Sequence, residues 1–398
     1  MKRKTKNNGE KKKIVLKIVT AEWKNASRDK RELSVVKELG ADVLVMAKGK
    51  TTGKREIVDG FRVLRMSSRP CGEWMPNTIN RFFSVFTWAI QARKIHPNVL
   101  SCHDLIALYI GWISTWFISK KNRPCLVYDS HEFTIYDGKR SKFEEKLVTV
   151  LERFLIKKCS FVIEVNDLIA DEVQQIHKLE QRPIVIRNIP EKWTVDYKEC
   201  ADVRKKLTDT FNSEEDCFII MYHGIVVPDR GIEVLLQVLK INSMLRLFIL
   251  GDGDLEYVNR LKNYCVKEKI DNRVIFHESV PQSELWKYVG AVDVGMIMIQ
   301  ATSKNHYYML PNKFFECVQS ETPVICSSFP ALKPLVEKYG IGLTCNSGNI
   351  KEINSCIEKL RLDKEFLSEL HENTKTAKNE LCWEKEKEVL KKAYRRLL

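Results

Sequence analysis

The chain has 398 residues, of which 44% are hydrophobic and 30% are charged, and its formal net charge is +14. This length suits two domains of ordinary size, and the composition excludes a disordered chain. The 12 cysteines form no CxxC pair and no zinc-ligand spacing, so neither a zinc site nor a disulfide framework is expected.

Short β-branched runs alternate with runs of helical length in the first half of the chain. The predicted strands are IVLKIVT, VLVMA, VLSC and CLVYDS, and a helix is predicted after each of the first three. Further along, a predicted helix precedes the strand FVIEVN, and its apolar residues recur at helical spacing: Phe143, Leu147, Val150, Leu151, Phe154 and Leu155. The alternation predicts a parallel sheet covered by helices.

The second half repeats this pattern after a polar interruption. The strand PIVIRNIP is followed by a charged stretch over 191–216, and apolar periodicity resumes at CFIIMYHG. We therefore predict an α/β protein with two Rossmann-like domains facing a cleft. The predicted divisions are an N-terminal domain, a linker, a C-terminal domain and a last helix that returns to the first domain, at 13–190, 191–216, 217–380 and 381–398.

Two segments bear on the location of the protein. The basic start MKRKTKNNGEKKK leads into only a short, strand-like apolar run, which does not resemble a secretion signal. The longest apolar stretch contains His103 and Asp104, so we interpret it as a strand followed by a buried helix. A cytoplasmic protein is expected.

Candidate anion-binding groups occur where predicted strands of the second half end. In HGIVVPDRGIEVLL, Gly224 closes a strand and Arg230 opens a helix, which suits a diphosphate; an ordinary turn with a solvated arginine fits equally well. In LFILGDGDLEYV, Gly253 allows close approach of a ligand, and the two aspartates are predicted as helix caps in preference to metal ligands.

The stretch LPNKFFECVQ is the most informative one. Pro311 stops the preceding chain, Asn312 is a possible cap, and the following helix exposes its first amides, Lys313 and Glu316. A carboxylate one turn into this helix is placed to accept two hydrogen bonds from a ribose diol. A capped helix with an exposed ion pair remains the alternative.

The N-terminal half has one candidate cluster, at the end of the strand LVYDSHEF. It comprises Asp129, His131 and Glu132, and a lone histidine at such a place is commonly structural.

These motifs, in this order, resemble those of the family 4 glycosyltransferases of the GT-B fold, also called glycosyltransferase group 1. The resemblance runs from about Lys13 to the C-terminal helix and is strongest over Met221 to Cys345. RVIFHESVPQSELWKYVGAVDVGMIMI is similar to the base-binding loop and following helix of that family, and PNKFFECVQSETPVICSS is similar to its ribose-binding helix.

The resemblance implies the roles of individual residues. Arg230, Lys313 and His131 would be the catalytic residues, with His131 facing the donor sugar. The donor nucleotide would be bound by Gly224, Asp252, Gly253, Val280, Leu310, Pro311, Asn312 and Glu316. Family members commonly have an earlier glutamate where this chain has Tyr308, and the glycine-rich first loop is missing, so contacts to sugar and acceptor differ.

The implied reaction moves a hexosyl or N-acetylhexosaminyl group from a nucleoside-diphosphate sugar to an acceptor hydroxyl with retention, without a metal cofactor. Such a reaction suits cell-surface polysaccharide or glycolipid synthesis. The alternatives are a nucleotide-sugar epimerase of the same architecture and, from the net charge, a nucleic-acid-binding protein. The segment RFFSVFTWAIQARK fits a buried helix, and a peripheral contact with the inner face of a membrane is its alternative.

Overall fold

A computed structural model describes residues 12–23, 27–130, 141–212 and 217–398 of the protein. The described residues divide into two compact units. The first comprises those up to Ile186 together with Lys387–Leu398, and the second comprises those of Arg187–Glu386.

The first unit is built on a sheet in which every strand pair is parallel except the hairpin β3–β4. The strand order is β3-β4-β2-β1-β5-β6-β7-β8. Its strands are β1 Ile14–Val19, β2 Asp42–Gly49, β3 Arg55–Val58, β4 Phe61–Ser67, β5 Val99–His103, β6 Cys125–Asp129, β7 Phe161–Glu164 and β8 Ile184–Val185. Its helices are α1 Ser27–Glu38, α2 Asn77–Lys94, α3 Asp104–Ser114, α4 Lys142–Ile156 and α5 Asp167–His177.

The second unit is built on a parallel sheet with the strand order β11-β10-β9-β12-β13-β14. Its strands are β9 Phe218–His223, β10 Leu245–Leu250, β11 Val274–His277, β12 Val294–Ile297, β13 Val324–Ser327 and β14 Gly342–Cys345. Its helices are α6 Tyr197–Thr210, α7 Ile232–Ile241, α8 Leu255–Lys267, α9 Gln282–Val289, α10 Lys304–Tyr308, α11 Asn312–Gln319, α12 Lys333–Tyr339, α13 Ile350–Leu362, α14 Lys364–Ala377 and the start of α15 Trp383–Tyr394.

Buried apolar residues occupy both faces of the second sheet. Along β9, Ile219 and Met221 belong to one core cluster, whereas Ile220 and Tyr222 belong to the other. Successive side chains of a strand point to opposite faces, so helices must cover both. The Rossmann-like architecture predicted for both halves is confirmed.

The end of α15 packs in the first unit, as predicted for the last helix. Leu390 and Tyr394 are fully buried, and the Tyr394 hydroxyl donates a hydrogen bond of 2.6 Å to Glu32 of α1. The buried side of this last helix therefore packs within the first unit.

The predicted linker over 191–216 is not a simple linker. It contains α6, whose Val203 and Leu207, with the adjacent Phe211, are buried in a core cluster of the second unit. These apolar residues are spaced four positions apart and separated by mostly polar residues, so the polar composition concealed the helix.

Two helices of the first unit are less buried than their sequences indicate. In α2, Ala89 is buried, whereas Phe82 and Ile90 are 61% and 54% exposed. In α4, Leu155 is buried, whereas four other apolar side chains are exposed: Phe143, Leu147, Val150 and Phe154. The apolar spacing correctly predicts both helices, but it does not predict that much of their apolar surface is exposed.

The predicted strand followed by a buried helix is confirmed as β5 and α3, with Leu108 and Ile110 buried. No helix in the described part of the chain combines the length and the apolarity needed to cross a bilayer.

Candidate functional site

The loops that follow β9 and β10 are bonded to each other at the carboxyl edge of the second sheet. His223 and Leu250, the last residues of these strands, are paired in register. The Gly224 N–H donates to the Leu250 carbonyl oxygen at 2.9 Å, and the Val226 N–H donates to that of Asp252 at 2.8 Å. This edge of a parallel sheet is where ligands generally bind.

Gly251 and Gly253 make this close pairing possible. A Cβ atom on Gly251 would lie 2.0 Å from the carbonyl oxygen of Gly224, and one on Gly253 would lie 2.2 Å from that of Val226. The sequence predicts close approach at this turn by a ligand, but the group that approaches is the neighbouring loop backbone. The glycines therefore fix the shape of the site.

Asp252 ties a third loop to the same edge. It accepts hydrogen bonds from the Ser279 N–H, at 3.0 Å, and from the Ser279 hydroxyl. These bonds hold the pKa of Asp252 below its ordinary value. Asp252 thus positions the loop containing half-buried Val280, the predicted base-binding loop. Asp254 caps α8 by accepting from the Tyr257 N–H, as predicted. The prediction that Asp252 is also a helix cap is wrong, because its carboxylate accepts from Ser279 instead.

Helix α7 begins without a capping side chain. Gly231, at its N-cap, has a φ of +80°, and a Cβ there would lie 2.0 Å from the Met298 carbonyl oxygen. The preceding Arg230 is half-buried, and its Nη1 lies 3.9 Å from Met309 Sδ. The helix N-terminus and the guanidinium are therefore adjacent, an arrangement that attracts anions.

Helix α11 also begins without a capping side chain. Pro311 occupies the N-cap, and Asn312 is the first helical residue. The prediction that Asn312 caps this helix is wrong, because proline holds the extended conformation that ends the preceding chain. The first amides of α11 are consequently not bonded to a capping side chain, and Leu310 is half-buried beside them.

Lys313 projects from α11 onto the end of β9. Its Nζ lies 3.7 Å from the ring centroid of Tyr222, and it stands close to Gly224. Burial, followed by the charge of Arg230, lowers the pKa of Lys313 to about 7, against an opposing effect of Glu316. Arg230, Lys313 and Glu316 are thus near enough to influence one another, as the sequence indicated.

Glu316 lies one turn further along α11. Its Oε2 accepts a hydrogen bond of 3.0 Å from Nε2 of His223, a buried residue at the end of β9. A carboxylate has no proton to donate, so Nε2 carries the hydrogen. His223 and Tyr222 were not predicted as site residues, although both stand at the carboxyl end of a predicted strand.

The cluster predicted at the end of β6 differs from expectation. His131 lies outside the described residues, and Asp129 is buried in ion pairs with Lys17 at 3.0 Å and Arg28 at 2.9 Å. Because its charge is neutralised inside the first unit, Asp129 has a structural role there.

Asp29, His103 and Asp129 have ligand atoms within 4.8 Å of one another, a spacing compatible with a metal. The ammonium of Lys17 already lies 3.0 Å from Asp29 and from Asp129. Burial lowers the pKa of His103, but hydrogen bonds to Asp104 and Asp29 outweigh it and raise the pKa to about 10. A protonated histidine beside an ammonium does not fit a metal centre.

A cavity of about 1000 Å³ lies near the amino ends of β9 and β10. It is lined by residues such as Cys217, Arg246 and Asp293, and by none of the predicted donor-site residues that the structure describes. Ligands of parallel sheets bind at the opposite edge, so we retain the carboxyl edge as the candidate site.

Comparison with known proteins agrees with this architecture. Residues 203–377 match the family described as glycosyl transferases group 1. No curated protein matches the chain in sequence.

Solved structures are similar over nearly the whole chain. Sucrose-phosphate synthase from Thermosynechococcus elongatus has a TM-score of 0.77 at 16% identity, covering 97% of this chain and 99% of its own. HepE from Anabaena in complex with UDP has a TM-score of 0.73 at 15% identity, covering 96% and 98%. At such identities the likeness concerns the fold.

The two Rossmann-like units thus define a GT-B protein. Residues 203–377, within the second unit, are similar to the glycosyl transferases group 1 family, and the chain shares its fold with solved glycosyltransferases.

Proposed function

We propose that the second unit binds a nucleoside-diphosphate sugar and that the enzyme transfers its hexosyl or N-acetylhexosaminyl group to an acceptor hydroxyl with retention. The observation that carries this proposal is the convergence of Arg230, Lys313 and Glu316 at two helix starts that lack capping side chains. Cationic side chains and free amides suit a diphosphate.

Glu316 would bind the ribose of the donor. His223 engages one carboxylate oxygen and fixes the orientation of the side chain. A carboxylate retains further acceptor capacity for the two ribose hydroxyls. Val280 and its loop, held by Asp252, would contact the base.

In the reaction, the bond between the anomeric carbon and the diphosphate breaks, and its electron pair leaves with the diphosphate. The acceptor oxygen forms the new bond to that carbon, and its proton passes to an oxygen of the departing diphosphate. Arg230, Lys313 and the amides of α7 and α11 would stabilise the leaving negative charge, so no metal is required for that step.

HepE has been solved with UDP and with UDP-glucose, which makes UDP-sugars the first donors to examine. The acceptor proposed is a polysaccharide or glycolipid precursor in the cytoplasm. A thermal-shift screen of sugar nucleotides would identify the donor, because a ligand at 100 times its dissociation constant stabilises by about 2.7 kcal/mol.

Replacing Arg230 or Glu316 with alanine tests the assignment. We expect Arg230→Ala to reduce turnover by a factor of about 10² to 10³, since it removes a donor to the leaving group. Glu316→Ala should weaken donor affinity in isothermal titration calorimetry. Matched controls are Arg260→Ala on α8 and Glu337→Ala on α12, both exposed. Wild-type affinity and turnover in the Arg230 and Glu316 variants would refute the proposal.

A further inference from the structure

Helices α2, α3 and α4 cover the same face of the first sheet. They connect β4 to β5, β5 to β6 and β6 to β7, which are steps in one direction across the sheet. Right-handed crossovers place such helices on one side. They also touch: the rings of Trp112 in α3 and Phe154 in α4 are 5.3 Å apart, and Arg93 of α2 donates to the Trp116 carbonyl oxygen beyond α3.

The outward surface of these helices is apolar. In α4, Phe143, Leu147, Val150 and Phe154 recur on one side and are 77%, 62%, 55% and 47% exposed. Phe117, just after α3, is 93% exposed. With Phe82 of α2, these residues form what we term the apolar face. Monomeric soluble proteins seldom leave so many large apolar side chains together in water.

The charge around the apolar face is positive. Helix α2 contains three basic residues and no acidic one, and the segment 115–124 between α3 and β6 likewise contains three and none. Basic groups also lie over the aromatic rings, since Lys158 Nζ is 4.3 Å from the centroid of Phe154. Exposed aromatics among long basic side chains are typical of a membrane-interface surface.

The positive charge favours a lipid surface over a second copy of the chain as the partner of the apolar face. A two-fold dimer formed through the apolar face would bring the basic surroundings of one copy against those of the other, which is repulsive. An anionic lipid surface offers both an apolar phase and the complementary charge.

We propose that the apolar face docks the first unit on an anionic lipid bilayer. The aromatic and aliphatic side chains of α2, α4 and the end of α3 enter the headgroup region, while the lysines and arginines contact lipid phosphates. Because α4 has one apolar and one charged side, it would lie in the plane of the interface with its apolar side toward the lipid. This inference uses residues of the first unit alone and goes beyond the proposed donor site.

Flotation of the full chain with vesicles tests the proposal. We expect binding to phosphatidylcholine vesicles that contain phosphatidylglycerol, weaker binding to phosphatidylcholine alone, and loss of binding as salt concentration rises. Phe143→Ser with Leu147→Ser should reduce the partition coefficient about tenfold or more, because two side chains no longer enter the lipid. Lys120→Glu with Lys121→Glu should weaken binding to the anionic vesicles only.

The matched control is Leu255→Ser with Leu362→Ser, at residues 75% and 69% exposed in the second unit, and we expect it to bind vesicles as the wild type does. Light scattering and UDP-sugar binding would be measured on all variants. Three results would each overturn the proposal. They are no binding of the wild type to vesicles, equal losses of binding in the apolar-face variant and the control, and a wild-type dimer that dissociates only in the apolar-face variant. Failure of the protein to bind UDP-sugars would count against the proposed function and would leave the membrane proposal unaffected.

Discussion

At the scale of single residues, Lys313 is the group with the most consequential environment. Its pKa of about 7 means that its charge is largely lost just above neutrality. A diphosphate beside it would favour the ammonium and raise the pKa, so donor binding should take up a proton.

This linkage predicts the pH dependence of donor affinity. Affinity should be constant below about pH 7 and should then fall, by at most about tenfold per pH unit, until the pH reaches the raised pKa of the complex. Calorimetry at about pH 8 in two buffers of different ionisation enthalpy measures the proton uptake directly.

Lys313→Met should abolish this uptake, whereas Lys333→Met on α12 should preserve it. Equal proton uptake in wild type and Lys313→Met would assign the titration to another group. An affinity that does not change between about pH 7 and 9 would contradict the proposed contact altogether.

The sequence places Arg230, Lys313 and Glu316 at or near the starts of two predicted helices, and the family resemblance assigns them to one donor site. It does not predict Tyr222 or His223 as their partners. Both belong to the apolar run FIIMYH, where the same pattern fits a buried strand, and only the register of β9 against its neighbours places them under α11.

At the scale of elements, the site depends on how closely its loops approach. Gly231→Ala should weaken donor affinity about tenfold or more, because the new Cβ meets the Met298 carbonyl oxygen and displaces the start of α7.

Gly60→Ala is the matched control for this change. Gly60 has a φ of +75°, close to the +80° of Gly231, but a Cβ atom on Gly60 would meet nothing within 4 Å. Both variants carry the same left-handed strain, so calorimetry of donor binding isolates the clash. Similar affinities for the two variants would show that loop spacing does not set the site.

Elements were predictable where apolar periodicity is strong and hidden where it is weak. The hairpin β3–β4 was not predicted, although its turn Asp59–Gly60 has the positive φ values of a tight hairpin. Helix α6 was hidden among charges. In the hairpin and in α6, the few apolar residues become informative only once the neighbouring elements that bury them are known.

At the scale of the whole molecule, repetition of one strand-and-helix pattern sufficed to predict two Rossmann-like units. The pattern could not predict exposure. An amphipathic helix such as α4 reveals which of its sides is apolar, but the same spacing serves a core, a partner or a lipid surface, and only the fold shows that the side remains uncovered.

In the proposed function, the carboxyl edge of the second sheet binds a sugar nucleotide through its diphosphate and ribose. The most direct measurement is a crystal structure of the full chain with UDP. We expect the diphosphate to lie against Arg230, Lys313 and the first amides of α11, with the ribose hydroxyls donating to Glu316. A nucleotide bound elsewhere, or one whose ribose leaves Glu316 untouched, would contradict it.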